Sequence, residues 1–316
     1  MTLARLLLVT LAIESLAAVA APGDAGPVAP PDPSQRIAAA RTPGPFDVER
    51  VLERDGLRDG PRYKGATIYH PVRKVEVDGV ESPEPPTRSA GVVLVPGYMG
   101  PERSMSRWGP FLASHGYVVM TIGTNGPGDN PDTRGAALVD GVVTLRAENE
   151  RADSPLFGRL DPDRIAVGGW SMGGGGAQVA ATLDPSIKAV LALCPWKPRP
   201  HVTHDVPVFF LGAERDRPAP VARHALPHFE RLDEDTPKLL YEVRDARHNL
   251  AMDPRYADGD VGRFVIAWLK VFVDGDESWL PVIRSRPDSA SRFRLEAMPE
   301  VDSPPVADAV PEKKAA

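Results

Sequence analysis

Residues 165–176 read Ile-Ala-Val-Gly-Gly-Trp-Ser-Met-Gly-Gly-Gly-Gly: an apolar run, then Ser171 flanked at two positions on either side by Gly169 and Gly173, then small residues that can open a helix. A serine at a sharp strand-to-helix turn is forced into a strained backbone conformation that lifts its hydroxyl clear of a sheet, and glycines two residues away let strand and helix approach. A hydroxyl held there also faces the free N–H groups of a helix start, which favour developing negative charge. The chemistry suggested is nucleophilic attack, and a serine hydroxyl needs a base to take its proton as it attacks. Histidine suits that role because an imidazole exchanges protons near neutral pH.

Two later loops supply partners. The apolar run Val206 to Leu211 leads into Gly-Ala-Glu-Arg-Asp and puts Asp216 just past a strand end, while Leu239 to Val243 leads into Arg-Asp-Ala-Arg-His and puts His248 past the next. Serine, acid, histidine is the chain order of an α/β-hydrolase triad, in which the carboxylate orients the imidazole. Asp245 is the competing acid, three residues before His248, where it would point awkwardly. His115, His201, His204, His224 and His228 follow no late strand and read as surface or loop histidines. Negative charge on an attacked carbonyl oxygen needs N–H donors. Met172, directly after the serine, supplies one, and Tyr98 in Val95-Pro-Gly-Tyr-Met-Gly100 is the choice for the other. Metal-ligand spacings such as H-E-x-x-H or C-x-x-C do not occur, and neither a metal nor another cofactor is expected.

The elements that must position these residues alternate. Strands are predicted near 67–71, 91–95, 117–122, 164–168, 188–194, 206–212 and 238–243, with helices near 104–115, 134–149, 172–183, 219–232 and 259–273. Such alternation implies crossovers and a mostly parallel sheet with helices on both faces, whose ligand site lies at the carboxyl ends of the strands. The predicted fold is an α/β-hydrolase with one catalytic domain over 45–283 and no separate lid domain.

Ahead of it, residues 1–20 have the pattern of a signal peptide: Arg5, an apolar run from Leu6 to Ile13, and Ala18-Val19-Ala20 before a cleavage point. That run is far short of the ~20 residues that span a bilayer, so export without a membrane span is expected. Residues 21–44, rich in Pro and Ala, read as a linker, and 284–316 as a partly disordered tail. The formal charge of −6 leaves no basic field for nucleic acid. Cys194, the single cysteine, ends an apolar strand and reads as a small hydrophobe, and a monomer is expected.

Taken together, Gly97-Tyr98-x-Gly100, Leu112-Ala-Ser-His-Gly-Tyr-Val-Val119, Thr124-Asn125, Gly169-Trp-Ser-Met172 with its four glycines, Pro195-Trp196, Ala219-Pro-Val221 and Ala267-Trp-Leu-Lys-x-Phe-Val-Asp274 resemble the bacterial polyester hydrolases: actinobacterial-type cutinases and PET hydrolases. The resemblance spans roughly residues 44–276. It implies a triad of Ser171, Asp216 and His248, oxyanion donors Tyr98 and Met172, and substrate contacts from Tyr98, Trp170, Trp196 and Asn249. Trp196 would be a mobile wall that stacks on aromatic acyl groups. Several positions depart from the cutinase pattern: Trp170 stands where cutinases carry His, Asn249 where they often carry Phe, and Pro218 where Ile is usual, while His224 keeps the cutinase residue. Arg244 in place of an acidic residue argues against the calcium site of some relatives, and the family's disulfide cannot form with one cysteine. The expected activity is hydrolysis of carboxylic esters, hydrophobic or polymeric, by a secreted serine esterase. The alternatives are a lipase or small-ester hydrolase resembling platelet-activating-factor acetylhydrolases, and a noncatalytic binding module on the same fold.

Overall fold

In the computed structural model, residues 32–73, 83–198 and 203–300 are described. The predicted signal peptide, residues 21–31 of the predicted linker and the end of the tail lie outside them.

Among the described residues, nine strands form one sheet in the order β1-β2-β4-β3-β5-β6-β7-β8-β9. These are β1 (Asp47–Leu52), β2 (Ala66–Val72), β3 (Ser89–Val95), β4 (Val118–Ile122), β5 (Leu160–Trp170), β6 (Ala189–Leu193), β7 (Val208–Ala213), β8 (Lys238–Val243) and β9 (Ala290–Glu296). From β4 to β8 neighbouring strands run parallel, and β1, β2 and β9 pair antiparallel at the edges. The parallel centre is buried on both faces, so its strands read as continuous apolar runs.

Alternation along β3 divides the core. Val92 and Leu94 join one apolar layer with Trp108, Phe264 and Trp268, and Val93 and Val95 join the opposite layer with Leu138, Ala177 and Phe229. The first layer packs under α1 (Pro33–Ala40), α2 (Trp108–Ser114), α6 (Asp260–Phe272) and α7 (Leu280–Arg284). The second packs under α3 (Pro131–Glu150), α4 (Met172–Leu183) and α5 (Ala225–Phe229). Asn130 starts α3 by accepting from the Thr133 N–H, with Pro131 in the first turn.

Three expectations need correction. Residues 33–40 of the predicted linker are helical, with the Asp32 side chain capping the Ser34 N–H. Residues 290–296 of the predicted tail form an edge strand, because Phe293 packs against Tyr241 and Phe264 and β9 covers the backbone edge of β8. The helix predicted over 219–232 shrinks to α5, with turns in place of helix at 221–224.

Candidate active site

Ser171 sits between β5 and α4 with φ 59 and ψ −119, the left-handed region a side chain avoids. Such strain costs on the order of 1–3 kcal/mol and persists only where the surroundings fix it. The surroundings here are backbone. The Ser171 N–H donates to the Leu193 carbonyl at 2.9 Å, and its own carbonyl accepts from the N–H groups of Trp196 at 2.7 Å and Gly175 at 3.1 Å. A Cβ on Gly169 would lie 2.5 Å from the Gly173 carbonyl carbon and one on Gly173 2.4 Å from the Val95 carbonyl oxygen, so glycine is required at both.

Past β7, Asp216 is 5% exposed. Its Oδ1 accepts from the Ala219 N–H at 2.8 Å and its Oδ2 lies 2.7 Å from His248 Nδ1. The imidazole thus carries its Nδ1 proton toward the carboxylate and leaves Nε2 as the basic nitrogen. Asp245 does not compete: it turns outward to pair with Arg215, and its N–H donates to the Glu214 carboxylate at 2.7 Å.

Tyr98 follows β3 in a turn closed by the Gly100 N–H donating to the Gly97 carbonyl at 3.0 Å and held to the next loop by the Met99 N–H donating to the Pro127 carbonyl at 2.8 Å. This turn touches the serine closely, since a Cβ on Gly97 would meet Ser171 Cβ at 2.7 Å. Tyr98, Ser171, Met172, Trp196 and Pro218 line one pocket of about 220 Å³. Pro218 also lines its neighbour, about 550 Å³, with His248, Asn249, Arg215, Arg217 and Arg247.

Of the predicted site residues, Tyr98, Ser171, Met172 and Trp196 thus line one pocket and His248 and Asn249 the other, with Asp216 bonded to His248. Trp170 is not among the lining residues of either pocket; its indole N–H donates to the His248 carbonyl at 3.1 Å and its ring packs 5.3 Å from the imidazole. It braces the histidine loop from behind. Trp196 is half-buried at the pocket and stacks on His224 at 5.6 Å. The other described histidines lie elsewhere: His228 is buried between Gln178 and the Lys197 carbonyl, and burial pulls His115, His204 and His228 down to about 4. His201 is outside the described residues.

Two contributors were not legible as such. Arg134 is buried on α3 and donates to the carbonyls of Pro96 at 2.8 Å, Asp129 at 2.8 Å and Pro127 at 3.3 Å, tying the Tyr98 turn to the next loop. Burial lowers its guanidinium to about 10, so it stays charged at neutral pH. Cys194, with φ 44, lies beside the acid: its Sγ, an Asp216 oxygen and a His248 nitrogen are within 4.8 Å of one another. Burial, then the Asp216 charge, pushes the thiol up, so Cys194 faces the carboxylate as a protonated donor. This is the one grouping of potential metal ligands among the described residues, and within it His248 Nδ1 and Asp216 Oδ2 are hydrogen-bonded to each other. A donor at the end of the preceding strand, 22 residues before the acid, carries no local signal.

An α/β-hydrolase sheet with a strained serine at one strand end and a paired carboxylate and imidazole at two others defines a carboxylic-ester hydrolase. The chain belongs to the PET hydrolase-like family, whose model matches residues 21–299. It is 34% identical over 249 residues to cutinase est1 of Thermobifida alba, covering 78% of this chain and 76% of the relative. To cutinase 1 of Thermobifida cellulosilytica it is 36% identical over 249 residues, 78% and 86%. To a bis(hydroxyethyl) terephthalate hydrolase of Streptomyces coelicolor it is 36% identical over 217 residues, 68% and 64%.

Proposed function

We propose that this protein is a secreted serine esterase that cleaves polyesters through an acyl-enzyme on Ser171. His248 Nε2 takes the serine proton as Oγ attacks the ester carbonyl, then passes it to the departing alcohol; water repeats the sequence to free the acid. Asp216 holds the imidazole and stabilises its protonated form, and the N–H groups of Tyr98 and Met172 receive the oxyanion. Tyr98, Trp196 and Pro218 form the apolar wall against the acyl group, with Asn249 on the histidine side.

The observation that carries this reading is the 2.7 Å contact of His248 Nδ1 with buried Asp216, at the carboxyl ends of β7 and β8, in the same sheet as a serine held at φ 59 at the end of β5. A polymeric substrate is favoured over a small one by the open mouth, where Tyr98 is 58% and Met99 60% exposed. Relatives named for cutinase and for terephthalate-ester hydrolysis support the same choice. Secretion rests on the leader pattern of residues 1–20; among the described residues no helix is long and apolar enough to cross a membrane.

A fluorophosphonate should label the enzyme once, and Ser171→Ala should abolish labelling and lower ester hydrolysis on the order of 10⁴-fold with the fold intact. Release of soluble acids from a polyester film, set beside an ester series of rising chain length, separates a polyesterase from a small-ester hydrolase. Substantial turnover by Ser171→Ala would end the assignment.

A further inference from the structure

The pocket on the histidine side carries charge that the proposed mechanism does not use. Arg215, Arg217 and Arg247 line it with Pro218, His248 and Asn249, in a chain whose formal charge is −6. Arg215 is neutralised by Asp245. Glu214 is occupied by the Asp245 N–H, and Asp216 is buried behind His248. Arg244, the remaining arginine of these two loops, turns away to the Ala290 carbonyl at 3.2 Å. Arg217 and Arg247 are exposed, flank the pocket from the loops after β7 and β8, and have no carboxylate partner among the described residues. Two guanidinium groups beside one pocket form a receptor for a carboxylate, since each can present a planar pair of N–H donors to its two oxygens.

The chemistry fixes which part of the ester meets them. The imidazole returns its proton to the leaving oxygen, so the alcohol portion departs past His248, whereas the acyl portion stays against the Tyr98 and Met172 N–H groups and Trp196. From this arrangement we infer that Arg217 and Arg247 form a subsite for a carboxylate on the alcohol side of the scissile ester. The substrate class is the free-acid end of a hydroxyacid oligoester, which the enzyme cleaves to release a hydroxycarboxylate. The inference rests on the Ser171 esterase reading and adds to it a preference for anionic chain ends.

The test compares two soluble esters of the full-length enzyme: the butanoate ester of 6-hydroxyhexanoate and the same ester of its neutral carboxamide. Exposed charge pairs are individually weak, so kcat/KM should favour the carboxylate by about fivefold to tenfold at low salt, with the ratio falling toward one near 0.5 M NaCl. In Arg217→Gln/Arg247→Gln the ratio should approach one, and in Arg217→Lys/Arg247→Lys it should be partly kept. Thermal melts of each variant guard against reading misfolding as lost selectivity, and the single substitutions replace the pair if it melts early. A half-ester of hexanedioic acid with hexanol, whose carboxylate is on the acyl side, should gain no such advantage. Equal rates on acid and amide, an unchanged ratio after both substitutions, or an equal advantage for the half-ester overturns the subsite. Turnover of neither ester by the unsubstituted enzyme removes the esterase reading and the subsite with it.

Discussion

His248 Nδ1 lies 2.7 Å from Asp216 Oδ2, although 32 residues separate them, whereas Asp245, three residues before the histidine, pairs outward with Arg215. Adjacent strands β7 and β8 run parallel, so the loops at their carboxyl ends meet on one rim. A near neighbour in the same loop leaves in the other direction: Asp245 has φ 54 and a 62% exposed side chain.

The two aspartates should therefore separate in kinetics. Asp216→Asn is expected to lower kcat/KM about 10³- to 10⁴-fold, because the amide cannot hold the same imidazole tautomer or stabilise its cation. Asp245→Asn should stay within about threefold. Comparable losses in both would reassign the acid.

The elbow should tolerate no side chain at Gly169. The three atoms nearest an added Cβ there are backbone, Gly173 C at 2.5 Å, Gly173 O at 2.7 Å and Val95 O at 2.7 Å, so α4 and β3 would have to part. Gly169→Ala should lose about 3 kcal/mol of unfolding free energy in urea titrations. A loss below about 1 kcal/mol would mean that the elbow yields easily.

Selectivity should follow Trp196. Its backbone N–H is fixed on the Ser171 carbonyl while its ring faces the pocket, so Trp196→Ala removes the wall with the elbow bond still available. Aromatic contacts are worth roughly 0.5–1.5 kcal/mol, and terephthalate-type esters should lose about threefold to tenfold in kcat/KM. Acetate and butyrate esters, with too little surface to use the wall, should lose less. Asn249→Phe, beside His248, should narrow the opposite side and favour small esters. An equal loss on all acyl groups after Trp196→Ala would assign that ring to the fold instead.

Acid should destabilise the domain through His228. Its neutral ring is fully engaged, with Nε2 bonded to the Lys197 carbonyl at 3.0 Å and Nδ1 to Gln178 at 2.8 Å, and burial lowers it to about 4. Between about pH 6.5 and 4 the unfolded chain binds a proton there that the folded chain does not, so stability is lost as pH falls through that window. His228→Gln should reduce the difference in urea stability between pH 7 and pH 4.5 by about 1–3 kcal/mol. An unchanged difference would place the acid sensitivity in other groups, His115 and His204 first among them.

What the sequence determined by itself is what steric spacing dictates within one turn or one strand. Glycines two residues either side of Ser171 permit only a tight strand-to-helix crossing, and the apolar runs of the central strands announce burial on both faces. Asp216 and His248 could be placed at strand ends because the runs before them stop abruptly. Alternation was also present in Phe293 and Leu295, but surrounding Arg and Ser residues hid an edge strand whose apolar side is completed only by Tyr241 and Phe264. Tertiary structure alone decided which carboxylate reaches the imidazole, that Trp170 braces His248, that the Cys194 thiol lies beside Asp216, and that Arg134 ties down the Tyr98 turn. Each of these depends on the order of strands in the sheet, where β3 lies between β4 and β5 and β6 between β5 and β7. That order arises from burying two apolar layers at once, a long-range packing condition that no local spacing encodes.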